Sequence, residues 1–179
     1  IQHTGTIDTR ATGAGKTGGT VTMTGDRVGL MDSSSTNASG PGGGGSVKIG
    51  GDARGAGPLP NSRTVLVQKN ASVRADATDR GKGGQVVVYG TETAQVHGTV
   101  TARGGINGGD GGFIETSAAH LDVTAPPDAG ADKGTAGNWL IDPFDLVIST
   151  AGPDTNIVTS GSPWTANDVS TAATVAIST

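Results

Sequence analysis

The sequence predicts an all-β chain wound as a parallel β-helix, a solenoid with glycine-rich turns and one inserted loop. Three observations carry this expectation. The first is composition: 32 of 179 residues are glycine and only 3% are aromatic, against a usual glycine share of about 7%. A core must then come from Val, Ile, Leu, Ala and Thr, and β-branched side chains suit a pleated surface better than a helix. The second is a repeat. Glycine pairs followed by an alternating apolar run begin at Gly18 ("GGTVTMTG"), Gly44 ("GGSVKIGG"), Gly83 ("GGQVVVYG") and Gly111 ("GGFIETSA"), with a degenerate copy, "GNWLIDPF", at Gly137. The third is that each repeat has a second half, a short alternating run followed by a small-residue turn. Such runs cannot bury a face alone, but stacked copies can.

Taken in order, "GTIDTRATGAGKT" leads into Gly18, "ASVRADATDRGK" into Gly83, "GTVTARGGINGGD" into Gly111 and "LDVTAPPDAGADKGTA" into Gly137. The glycine pairs are spaced by 26, 39, 28 and 26 residues. A strand, turn, strand, turn period of this length fits one rung, with neighbouring rungs about 4.8 Å apart. Period-two alternation points Val21, Met23, Val47, Ile49, Val86, Val88, Val100, Ile114, Leu121 and Val123 inward. Thr20, Thr22, Lys48, Gln85 and Glu115 then face solvent. "GGINGGDGGF", from Gly104 to Phe113, places six glycines in ten residues; it turns a corner of the coil, where residues without Cβ are favoured. The long interval contains "GGDARGAGPLPNSR", Gly50 to Arg63, an insertion. Repeats occupy residues 1–150. Residues 151–179 break the glycine rhythm and form an irregular continuation leading into a further strand at Val175–Ile177. A start at Ile1 and an end in strand-like "TVAIST" lead us to expect a parent chain that continues at both ends.

The formal net charge is −4, with Lys and Arg scattered singly. Without a basic stripe, nucleic acid and anionic membranes are not expected as partners. The absence of cysteine excludes disulfides and thiolate metal sites. No apolar run approaches the roughly 20 residues that span a bilayer, so membrane insertion is not expected.

"GTVTARGGINGGDGGFIETSAAHLDVT", running into "GTAGNWLIDPFDLVIST", resembles the filamentous haemagglutinin and high-molecular-weight adhesin family, the large exoproteins of two-partner secretion in Gram-negative bacteria. The matching positions are Gly98, Val100, Ala102 to Gly105, Gly109 to Phe113, Glu115 to Ser117, Gly137, Trp139 to Pro143, Asp145 and Ile148. The resemblance is strong over about residues 83–150 and weaker over most of the rest. It implies a right-handed coil, in line with the handedness of parallel crossovers. It also implies export through an outer-membrane secretion partner to the cell surface or beyond. The resemblance implies a segment outside the family's amino-terminal secretion domain and any toxin end, so it is expected to be shaft.

Several local motifs bear on chemistry. In "GAGKTGG" the run Gly15-Lys16-Thr17 matches the end of a phosphate-binding loop, but Arg10 stands where its first glycine belongs. Asp110 in "GGDGG" has no acidic partner at nine-residue spacing, as shared calcium turns need. Asp76, Asp79, Glu92, Asp110 and Glu115 are candidate carboxylates for glycoside chemistry, yet no acidic position repeats in register. His3, His97 and His120 lie beside no triad motif. Asp142-Pro143 is expected to end a strand and cap a turn, with Trp139 covering the edge of the stack. No catalytic residue, metal site or cofactor is therefore expected.

What remains is a structural and adhesive role: a stiff shaft contacting a host-cell surface or matrix polysaccharide. A polysaccharide-binding or self-associating filament module is the alternative, and a β-helical hydrolase or lyase a lesser one. Insertions on solenoids gather contacts on one face, so Arg54, Leu59, Asn61 and Arg63 are the candidate contact residues. Asn37 and Asn70, each in "NAS", are candidate glycosylation positions.

Overall fold

Among the described residues, alternating β-branched and polar residues form fourteen short strands that wind around one core. The structure, a computed structural model, describes residues 1–143. The last repeat residues, 144–150, and the continuation over 151–179 with its strand at Val175–Ile177 lie outside the described residues. The first face stacks β1 (Gln2–His3), β4 (Arg27–Leu30), β7 (Thr64–Val67), β10 (Thr93–Val96) and β13 (His120–Val123). The second stacks β2 (Thr6–Asp8), β5 (Ser35–Asn37), β8 (Ser72–Arg74) and β11 (Thr99–Thr101). The third stacks β3 (Thr20–Met23), β6 (Ser46–Ile49), β9 (Gln85–Tyr89), β12 (Phe113–Ala118) and β14 (Asn138–Pro143). Every pairing is parallel. The fold is thus a parallel β-solenoid of about five rungs.

Each full rung has three strands rather than two. The first-face strands "RVGL", "TVLV" and "TAQV" carry no glycine flag and escaped the repeat. "LDVT" was grouped with "GTVT", but Leu121 to Val123 pair with Ala94 to Val96 on the first face instead. On the third face Thr20, Ser46, Gln85, Phe113 and Asn138 share one column. Gly137 therefore aligns with Gly112, the second glycine of its pair, and the last rung is one residue shorter than the glycine spacing suggested.

The glycine pairs close the corner between second and third faces. The second glycine's N–H donates to a carbonyl at the end of the second face: Gly45 to Ala38, Gly84 to Ala75 and Gly112 to Ala102, each at 2.7 Å. A Cβ on Gly84 would overlap the Gly45 carbonyl, and one on Gly112 the Gly84 carbonyl. Close approach, not left-handed backbone, is what requires glycine in this column, since neither residue has positive φ.

Val21, Met23, Val47, Ile49, Val86, Val88, Val100 and Ile114 are all buried in the core cluster, joined by Val28, Leu30, Val65, Val67, Val73 and Val96. Leu121 and Val123, on the last first-face strand, are half-buried. Trp139 packs against the core at the last rung and donates its indole N–H to Thr116 Oγ1 at 3.0 Å. Asp142 lies within β14 opposite Ser117, with Pro143 opposite Ala118; the turn expected after them lies outside the described residues. Glu115 does not face solvent either; its side chain is fully buried, for a reason given below.

Ile114 is wholly enclosed, so Ile114→Ala is expected to cost about 3 kcal/mol through lost burial and a cavity. Exposed Thr20→Ala should cost under about 0.5 kcal/mol. Urea unfolding of both variants checks this; equal midpoints would mean that Ile114 is not packed as described.

Candidate functional site

The insertion joins β6 on the third face to β7 on the first, where the β3–β4 and β9–β10 turns take three residues, such as Gly90–Glu92. Rather than standing into solvent, it folds back across the outward side of the third face. A short 3-10 turn, Ala53–Gly55, lies against β9. Gly55 has φ 62° and its Cα faces the Tyr89 ring so closely that a Cβ would strike it. Arg54, also left-handed at φ 57°, donates its backbone N–H to Glu115 Oε1 at 2.7 Å.

Two carboxylates hold this loop in opposite electrostatic states. Asp52 is 7% exposed; its Oδ1 meets the Lys48 ammonium at 2.6 Å and its Oδ2 accepts the Leu59 N–H at 2.9 Å. The Lys48 bond first, and the Leu59 N–H second, hold this carboxyl below its ordinary range. Glu115 lies beside Val87 in register, both pointing out of the coil yet both fully enclosed beneath the loop. Ser117 Oγ donates to the same Oε1 at 2.9 Å, while Oε2 is buried without a partner. Burial pushes this carboxyl above its ordinary range, despite the Arg54 and Ser117 donors.

Of the four residues expected to make contacts, Arg54 and Asn61 are exposed and Leu59 and Arg63 half-buried. Asn61 Nδ2 donates to the Gly55 carbonyl at 3.0 Å, bracing the loop internally. Arg63 sits at the neck, where its guanidinium meets Asp26 Oδ1 at 3.3 Å and approaches Glu92 Oε1 at 3.9 Å. It therefore belongs to a corner ladder of alternating charge. The loop ties Asn61 to Gly55 and Leu59 to Asp52, and it turns Arg63 toward the rungs. Lys48, Asp52, Tyr89 and Glu115, which position the loop, were missed as a group. The one signal was Val87, an apolar residue at an outward position in "VVV".

The other carboxylates singled out are engaged structurally. Asp76 accepts from Thr101 Oγ1 and the Arg103 N–H, both at 2.8 Å. Asp79 accepts from Asn107 Nδ2 at 2.8 Å, and Asp110 from the Thr135 N–H at 2.9 Å. His97 meets Asp122 at 2.8 Å, while His3 and His120 approach only the backbone carbonyls of Ser35 and Glu92. Among the described residues no three His, Asp or Glu side chains converge as a metal site would need. Asn37 accepts the Ser39 N–H at 3.0 Å, and Ser39 is buried; Asn70 is exposed at the turn between first and second faces. Asn70 also borders a shallow groove with Leu66, Lys69, Gln95 and His97.

Because Asp52 is held below its ordinary range, its contribution is present above the unfolded carboxylate value and is lost as pH falls through the folded one. Asp52→Asn is expected to lower the thermal midpoint at neutral pH and to converge with the parent chain in strong acid. A pH series of melting curves checks this; a constant offset down to acid would exclude Asp52 as an ionised anchor.

In comparisons with known proteins, the chain is similar to the crystal structure of the HMW1 secretion domain from Haemophilus influenzae. The TM-score is 0.61 at 27% identity, over 78% of this chain and 35% of that one. The chain thus spans about a third of that structure's length. No protein-family model and no curated protein matches it.

Proposed function

We propose that this chain is a structural and adhesive segment of a large exported bacterial exoprotein, a stiff β-solenoid that displays the folded-back loop as a contact surface. The observation that carries this reading is the parallel solenoid itself together with its likeness to the HMW1 secretion domain. Its work is mechanical rather than enzymatic. Continuous backbone ladders on three faces resist bending, and the Lys48–Asp52 pair and Glu115 hold the loop against the third face. Export would pass through an outer-membrane partner and leave the segment secreted or on the cell surface. Host-cell surfaces or matrix polysaccharide are the partners that fit an exposed Arg54 and Asn61. End-to-end self-association of rungs into a matrix filament is the alternative use of the same architecture.

A second reading rests on a specific observation: the similar solved structure is a secretion domain. The segment would then belong to the region through which such an exoprotein meets its export partner, rather than to the shaft beyond it.

The test uses the loop. Removing residues 51–61 leaves Gly50, Ser62 and Arg63, a three-residue corner like Gly90–Glu92. Binding of the intact chain to host-cell surfaces and matrix polysaccharides is expected to fall at least about tenfold in that deletion and in Arg54→Ala/Asn61→Ala. Binding that survives both would reject the loop as the contact surface. Binding to an outer-membrane export partner instead, from an otherwise inert chain, would favour the second reading.

A further inference from the structure

Beneath the loop lies an arrangement that an adhesive shaft does not need. Glu115 is among the largest fully buried side chains, and it lies outside the coil's core, sealed between the third face and the loop. Both of its donors, the Arg54 N–H and the Ser117 hydroxyl, converge on Oε1. Oε2 is enclosed, and among the described residues it has no donor to accept from. An ionised carboxylate with one bare oxygen is a costly thing to bury, whereas a protonated one is neutral and requires far less. We propose that the insertion is a pH-gated lid, shut while Glu115 is protonated and opening when that carboxyl ionises.

The groups around Glu115 set the sense of the gate. From the loop, Arg54 presents its N–H and a positive charge that favours ionisation. From β12 itself, Ser117 does the same through its hydroxyl. From β14, Asp142 opposes ionisation with its own charge, and Leu140 stands directly beside Glu115 in register. From β9 come Val87 and Tyr89, neither of which offers a cation. Lys48, from β6, is already paired with Asp52. Among the described residues no cation bonds Oε2, so burial dominates and the carboxyl lies above its ordinary value. A raised carboxyl stabilises the closed form fully below its open-state value and ceases to do so as pH climbs through the closed-state value. The lid is therefore tight in acid and loosens toward alkaline pH, uncovering Val87, Tyr89, Glu115 and Leu140. The Asp52–Lys48 pair keeps the loop's base tethered meanwhile, so the moving part is the segment around Arg54.

Hydrogen exchange of the full chain, corrected for the intrinsic pH dependence of exchange, reads this directly. Loop amides are expected to lose at least about tenfold protection between about pH 5 and pH 8, while amides of β7 and β9 do not change. Glu115→Gln keeps the shape and removes the charge; its loop should stay protected at both values. Ser117→Ala removes one donor that favours the ionised form, so it should shift the opening midpoint to higher pH. A loop equally protected across the range, a Glu115→Gln chain that retains the parent's pH dependence, or a Ser117→Ala midpoint that is unmoved or lowered would each overturn the proposal.

Discussion

Everything in this molecule depends on how closely backbone can approach backbone at one corner. Successive rungs can stack at strand spacing only if the chain passes the corner between second and third faces without side-chain bulk. The column of second glycines, including Gly45, Gly84, Gly112 and Gly137, meets that demand. Each closes its own rung with an N–H to the end of the second face, and each lies over the carbonyl of the rung before. The inward Val and Ile ladders follow from that spacing, because like residues in register fill a core of constant cross-section. So does the Asp26–Arg63–Glu92 charge ladder at another corner.

The insertion shows what the solenoid tolerates. It enters at the corner between third and first faces, and the strands on either side of it, β6 and β7, keep their register with β9 and β10. Its folding back turns an outward strip of the third face into an interior. That strip therefore contains residues with no place on a solvated surface: Val87, and a carboxylic acid with one bare oxygen. The loop's two acidic partners respond oppositely to pH because one meets an ammonium directly and for the other burial outweighs its donors.

Much of this was legible in the sequence. The glycine pairs mark the third face because glycine is the one residue the corner accepts, and the alternating runs after them give the inward residues correctly from Val21 to Ile114. The first face was not legible. "RVGL" and "TAQV" are four residues long, follow ordinary corners, and include small residues that blur the alternation. "LDVT" matched the second-face pattern in composition, and only register with Ala94 to Val96 assigns it elsewhere. The loop's position was evident from the repeat interval, but its fold was not. Its key bond joins a backbone N–H to a carboxylate 61 positions away, and a backbone donor leaves no trace in a sequence. For the same reason Glu115 read as an exposed strand residue; Arg63 read as a free contact because its carboxylate partners, Asp26 and Glu92, come from neighbouring rungs.

The account's central claim is that close approach at the glycine column sets the stack. The most direct measurement compares the unfolding free energies of Gly112→Ala and Gly5→Ala in urea. A Cβ at Gly112 meets the Gly84 carbonyl, whereas one at Gly5 has nothing within 4 Å. Gly112→Ala is predicted to lose more than about 4 kcal/mol or fail to fold, and Gly5→Ala to lie within about 1 kcal/mol of the parent. Equal stability of the two variants would contradict the claim.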